Sequence, residues 1–218
     1  PIDANDRIFV VGGRVGKDGI HGATFSSLEI DEHSPQSAVQ IGSPITQKKA
    51  MDFLIKAANM GLIKCSTDNG AGGLSSSIGE LATISNGAVV YLDKVPLKYA
   101  GLRPWEIFVS ESQERMTLVV ENSQVEALQN LAKLMEVECT DIGFFTNNGF
   151  LDVRFEQTQV ALLNMEFLHD GVPQKILFAE WNKPELEDIK ISQNSDYTGI
   201  LKQLLGTLNI CSRESIIR

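Results

Sequence analysis

Apolar runs, amphipathic stretches and glycine-rich polar connections succeed one another along this chain. Arg7-Ile8-Phe9-Val10-Val11 reads as a strand. A long connection from Gly12 to Gly22 and a polar stretch ending near Gln40 follow it. Ser43 before Pro44 pairs a capping residue with a first-turn proline, and Met51, Leu54, Ile55 and Ala58 share one face, so a helix is expected to about Asn59, with Gly61 as its stop. Leu62 to Cys65 reads as a short strand leading to Asp68-Asn69-Gly70-Ala71-Gly72-Gly73. Leu74, Ile78, Leu81 and Ala82 then mark a second amphipathic helix. Ala88 to Leu92 reads as β and Asp93 to Trp105 as loop. Ile107 to Val109 and Met116 to Val120 read as strand on either side of a polar interruption.

A third helix is expected from Ser123 to Met135, with Val125, Leu128, Leu131 and Ala132 inward. The pattern then turns to β: Val137 to Phe145, Phe150 to Phe155 and Gln159 to Leu168, with Asn147-Asn148-Gly149 as a hairpin-type turn between the first two. Strands and helices mix without strict βαβ alternation. The expected fold class is therefore α+β, a mixed or antiparallel sheet covered by helices. Residues 1–170 form one expected domain. Residues 171–218 read as a linker to about Asp196, a helix from Tyr197 to Leu208 and another short one reaching Arg218.

Composition narrows the function classes. With 43% hydrophobic and 22% charged residues the chain has the makings of a packed core. No apolar run approaches the ~20 residues that span a bilayer, and no signal-peptide pattern opens the chain, so no membrane role is expected and a cytoplasmic protein is the default. A net charge of −9 repels the phosphate backbone, whose attraction to basic residues drives most nucleic-acid binding, so nucleic acid is not an expected partner. A phosphorylated small molecule chelated by Mg²⁺ remains compatible with it. Cys65, Cys139 and Cys211 are odd in number and lack metal spacing, as do His21, His33 and His169. They suggest neither a disulfide framework nor a zinc site. The chain begins at Pro1 and enters a strand almost at once, and it reads as a fragment of something longer.

Three segments carry candidate chemistry. Gly12 to Ala23 combines glycines with Arg14, Lys17 and His21, which suits a phosphate or polar ligand but equally a turn-rich connection. Asp68 at a strand end, followed by glycines and a helix start, is suited to hold Mg²⁺ while helix amides face phosphate oxygens; shaping the turn is the plainer role. Ser110-Glu111-Ser112-Gln113-Glu114-Arg115 interrupts an apolar run, and its Glu and Gln side chains suit an amide and ribose hydroxyls, unless the segment is a solvated edge. No nucleophile triad or dyad is visible.

Taken in order, Gly12 to Ser27 (GGRVGKDGIHGATFSS), Asp68 to Ala82 (DNGAGGLSSSIGELA) and Pro104 to Met116 (PWEIFVSESQERM), with Gln40 to Pro44 between, resemble the formylglycinamide ribonucleotide amidotransferase family, also called phosphoribosylformylglycinamidine synthase. The resemblance covers roughly residues 7 to 168. It implies a superfamily shared with aminoimidazole ribonucleotide synthetase and selenophosphate synthetase. Within that superfamily the chain resembles the C-terminal half-domain of the first synthetase unit. It implies an ATP-dependent reaction in which the amide oxygen of formylglycinamide ribonucleotide is phosphorylated and ammonia displaces phosphate. The ammonia comes from a glutaminase subunit or domain. By motif, Gln40, Glu111, Ser112 and Gln113 contact the ribonucleotide, and Asp68 binds the Mg²⁺ that bridges ATP. The family's catalytic histidine belongs to an N-terminal half-domain not contained in this chain, so the resemblance implies no catalytic residue here, and a second synthetase-like unit follows in the family. Another ATP-dependent synthetase of the superfamily and a noncatalytic binding module are the competing readings. The Ser-Glu-Ser-Gln-Glu-Arg stretch argues against the former.

Overall fold

The computed structural model describes residues 1–22, 39, 41–186 and 196–212. Most of the stretch from Ala23 to Gln40, and the last short helix expected to reach Arg218, lie outside the described residues. The chain's contacts fall into two units, Pro1–Gln174 and Lys175–Arg218. No helix among the described residues is long and apolar enough to cross a membrane.

Among the described residues the first unit has seven strands: β1 (Arg7–Gly12), β2 (Cys65–Asp68), β3 (Ala88–Tyr91), β4 (Arg115–Val120), β5 (Cys139–Phe145), β6 (Phe150–Phe155) and β7 (Thr158–Asn164). They form one sheet in the order β2-β4-β1-β5-β3-β6-β7. Every neighbouring pair is antiparallel except β3 with β6, so the sheet is mixed.

Alternation along β1 divides the core. Ile8 and Val10 face one side, where they meet Leu74 and Ile78 of helix α2 (Gly73–Ser85) and Ile107 of helix α3 (Pro104–Val109). Phe9 and Val11 face the other, against Phe53 and Ala57 of α1 (Pro44–Asn59) and Leu128 and Leu131 of α4 (Val125–Leu134). Phe9 and Phe53 are fully buried, and each such side chain contributes about 1.5–3 kcal/mol through removal from water. A sheet apolar on both sides must be covered on both, as α+β architecture requires.

α1 starts as expected: the Ser43 hydroxyl accepts from the Thr46 amide, and Pro44 occupies the first turn. The run Ile107 to Val109, expected as strand, is instead the end of α3. Pro104 opens that helix and the Glu106 carboxylate accepts from the Arg103 amide at 2.7 Å, a start signal that outweighs a run too short to carry a period. Asn147-Asn148-Gly149 does not close a hairpin, because β3 lies between β5 and β6. The amides of Thr146 and Gly149 donate instead to the carbonyls of Gly87 and Asn86, at the end of α2. The strand expected to reach Leu168 stops at Asn164. There the Asn164 side chain accepts from the Phe167 amide and caps α5 (Met165–Asp170). The short strand expected at Leu62 to Cys65 begins only at Cys65, since Leu62 is used in closing α1.

In the second unit, residues 175–186 carry no regular element and α6 spans Thr198–Leu205. Its Leu201, Leu204 and Leu205 are exposed.

Candidate functional site

Two of the three sequence-predicted segments meet at the β2 edge of the sheet, and the third braces them. β2 pairs antiparallel with β4, placing Asp68 opposite Met116. Where β2 ends, Asp68 is exposed and its Oδ1 accepts from the Gly70 amide at 2.8 Å, an Asx turn that redirects the chain. Asn69 turns inward, and its Oδ1 accepts from the hydroxyls of Ser77 (2.6 Å) and Thr117 (2.9 Å), while its buried Nδ2 has no partner among the described residues.

α2 begins at Gly73, a position that requires glycine twice over. Its φ is +55°, and a Cβ would stand 2.1 Å from the Ser110 carbonyl oxygen. That close approach brings the helix start against the segment between α3 and β4. Across the junction the Gly72 amide donates to Glu111 Oε1 at 3.1 Å.

Glu111 and Ser112 are buried, and Gln113 is half-buried with its Nε2 donating to the Glu111 carbonyl at 3.3 Å. Behind them stands the glycine-rich loop that leaves β1. The Ser112 hydroxyl accepts from the Gly16 amide at 3.0 Å and donates to Asp18 Oδ1 at 2.9 Å; the Ser110 hydroxyl donates to the Gly16 carbonyl at 2.7 Å. Lys98 closes on Asp18 Oδ2 at 2.7 Å, and Lys17 reaches Glu106 at 3.3 Å. Gly12 and Gly13 pack against the backbone of this segment, where a Cβ would stand 2.1 Å from the Glu114 carbonyl oxygen and 2.9 Å from that of Gln113.

Arg115 lies under the same segment. Its guanidinium donates to the backbone carbonyls of Ser110 and Ser112, and the buried Nη1 has no partner among the described residues. Burial pushes its pKa down to about 10, with Asp18 opposing the shift, so it remains a cation at neutral pH. Asp18, Glu114 and Arg115 belong to the candidate segments read from the sequence, which gave them no individual role. The only sequence signal for them was their membership of the two polar segments.

The surface these elements leave is an open cleft of about 480 Å³. Ala50, Met51 and Leu54 of α1 form an apolar wall, and Asp68, Gln113 and Glu114 face it. Such a cleft admits a ligand with a polar head and an apolar or stacking portion. Gln40 lies outside the described residues. His21 is exposed at φ +63° at the far end of the glycine loop. Among the described residues, no group of three or more His, Cys, Asp or Glu could hold a metal ion.

Comparison with known proteins places these features in context. Over 215 residues the chain is 36% identical to the phosphoribosylformylglycinamidine synthase subunit PurL of Methanopyrus kandleri, covering 94% of this chain and 29% of that protein. It is 35% identical to the subunit of the same name from a Thermoanaerobacter species, covering 96% and 30% respectively. The chain therefore spans about 30% of the length of the curated relatives it matches. Among solved structures, Thermotoga maritima PurL complexed with FGAR superposes with a TM-score of 0.76 at 27% identity, over 92% of this chain and 34% of that one. PurL of the same organism complexed with ATP gives a TM-score of 0.72 at 25% identity, over 95% and 33%. The HypE–HypF complex shares the fold at a TM-score of 0.52 and 16% identity, over 74% of this chain and 52% of that one. Residues 3–156 match the family described as AIR synthase related protein, C-terminal domain, and the chain belongs to that family.

Proposed function

We propose that this chain is the C-terminal half-domain of the first synthetase unit of a phosphoribosylformylglycinamidine synthase, in purine biosynthesis. The reaction is conversion of formylglycinamide ribonucleotide, ATP and glutamine-derived ammonia to formylglycinamidine ribonucleotide, ADP and phosphate. The observation that carries the reading is that Gln113 and Asp68 line one cleft, while Glu111 of the same motif is joined to the start of α2 through the Gly72 amide, in a chain 36% identical to a PurL subunit.

The chemistry asks little covalent participation of protein. Activating an amide oxygen by phosphoryl transfer depends on holding donor and acceptor in line and on neutralising the charge that develops. Gln113, half-buried at the cleft, offers an amide to the ribonucleotide, and Glu111 fixes the Gly72 amide at the helix start. Ser112 offers its backbone, since its hydroxyl is engaged by Gly16 and Asp18. Gln40 completes the ribonucleotide contacts in this reading.

Mg²⁺ would neutralise phosphate charge when bound. Asp68 fits that ion as a single exposed carboxylate, because Mg²⁺ commonly takes only one or two protein carboxylates, with phosphate oxygens and water completing its shell. The remaining ligands, the N-terminal half-domain with the catalytic histidine, the glutaminase and a second synthetase-like unit belong to the rest of the assembly. The 171–218 segment leads toward that second unit. On this reading the chain binds its share of substrate and does not turn over alone.

The decisive experiment is a calorimetric titration of the chain with formylglycinamide ribonucleotide, with and without Mg²⁺ and a nonhydrolysable ATP analogue. Saturable binding that Gln113→Ala abolishes is the expected result. Binding that is unchanged in Gln113→Ala would place the ribonucleotide elsewhere.

A further inference from the structure

Glu114 joins three segments that are remote in sequence. Its backbone sits at φ +57°, a left-handed conformation that side-chain-bearing residues adopt uncommonly and that concentrates at functional positions. Its carbonyl accepts from the Gly13 amide at 2.9 Å, and a Cβ on Gly12 would stand 2.1 Å from the same oxygen, so the exit of β1 is moulded to this turn. Its carboxylate accepts from the Ser43 amide at 2.9 Å, 71 positions away in the chain. That amide belongs to the N-cap of α1, where a negative charge is favoured by the helix dipole. Gly42 leaves the carboxylate room, since a Cβ there would approach Glu114 Oε1 to 3.0 Å.

The consequence is geometric. The left-handed turn at Glu114 sets the direction of Gln113 immediately before it and of Arg115 immediately after it, where β4 begins opposite Gly12. The side chain pins Ser43 at the start of α1. Resting on the ribonucleotide site proposed above, we infer that Glu114 is a positioning residue that locks the Gln113 segment to the start of α1, so that both sides of the cleft are presented in one fixed arrangement.

Three substitutions separate the parts of this role. Glu114→Gln keeps an acceptor at the same atom. Glu114→Ala removes the acceptor and leaves a side chain in the left-handed turn. Glu114→Gly relaxes the turn and also removes the acceptor. Affinity for formylglycinamide ribonucleotide is measured by calorimetry, and hydrogen exchange of the Ser43 amide by NMR. Glu114→Ala and Glu114→Gly should both weaken affinity by roughly tenfold or more and accelerate Ser43 exchange, whereas Glu114→Gln, which keeps an acceptor but gives up the charge, should fall between them and the parent, because a neutral hydrogen bond is the weaker one. A general loss of structure would not be rescued by the glutamine variant.

Parent-like affinity in Glu114→Ala, or Ser43 exchange unchanged in both acceptor-free variants, overturns the inference. If the parent chain itself fails to bind the ribonucleotide, that result counts against the proposed substrate site, and Ser43 exchange across the three variants still decides whether Glu114 holds the two segments together.

Discussion

The Ser112 hydroxyl donates to Asp18 Oδ1 at 2.9 Å while accepting from the Gly16 amide at 3.0 Å, so a buried side chain at the centre of the Glu-Ser-Gln motif is engaged from within the chain. Ser112→Ala leaves the Gly16 amide short of an acceptor and Asp18 short of a donor. Stability should fall by about 1–3 kcal/mol, read from the urea midpoint at unchanged slope. A loss below about 0.5 kcal/mol, the ordinary range for a surface position, would show that the bond is dispensable.

Gly73 and Gly61 both have positive φ, but only Gly73 is crowded. A Cβ at Gly61 meets none of the described residues within 4 Å, whereas one at Gly73 meets the Ser110 carbonyl at 2.1 Å. Gly61→Ala should therefore cost only the left-handed strain, about 1 kcal/mol. Gly73→Ala should exceed it by several kcal/mol or prevent folding, because the start of α2 and the Ser110 segment must move apart. Equal denaturation midpoints for the two variants would refute the close approach.

The Glu106 carboxyl is held below its ordinary pKa, chiefly by the Arg103 amide it accepts from and secondarily by Lys17. A folded-state pKa below the unfolded one makes the contribution to stability fully present above the unfolded value, about 4.3, and lost as pH falls through the depressed folded value. The stability difference between the parent and Glu106→Gln should accordingly be constant from neutral pH down to about pH 5 and shrink below it. A difference that grows on acidification would reverse the assigned sign.

Asp68→Asn retains an oxygen for the Gly70 amide and removes the charge on which the proposed Mg²⁺ role depends. Mg²⁺-dependent affinity for the nonhydrolysable ATP analogue should drop by roughly tenfold or more, on the scale of losing a charged metal ligand, while ribonucleotide affinity without Mg²⁺ stays unchanged. Unaltered nucleotide affinity would leave Asp68 with the turn alone.

Much of the fold was legible where local signals agreed. Ser43-Pro44 started α1, the period-3.6 spacing of Leu74, Ile78, Leu81 and Ala82 marked α2, and Ile8 to Val11 formed a strand buried on both faces. Local signals failed where partners distant in sequence decided the outcome. Asn147-Asn148-Gly149 has hairpin chemistry, yet its neighbouring amides find Asn86 and Gly87, and β3 takes the place between the two strands. Ile107 to Val109 is apolar enough for either element, and the Pro104 and Glu106 start signals together with burial against α2 made it helix.

The same division runs through the candidate site. Sequence alone determined which polar segments interrupt the apolar pattern, because residue types that bond ligands or turns stand out against a buried background, and the motif match named Gln40, Asp68 and Glu111–Gln113 among them. Only the tertiary structure decided what each side chain does there. Sheet pairing set Asp68 beside Met116, glycine contact brought Gly73 onto Ser110, and the loop from β1 engaged the Ser112 hydroxyl. The left-handed turn at Glu114 and its bond to Ser43 left no mark in the local pattern, because a glutamate's backbone angle and its partner across 71 positions are set by packing and not by its neighbours in the chain.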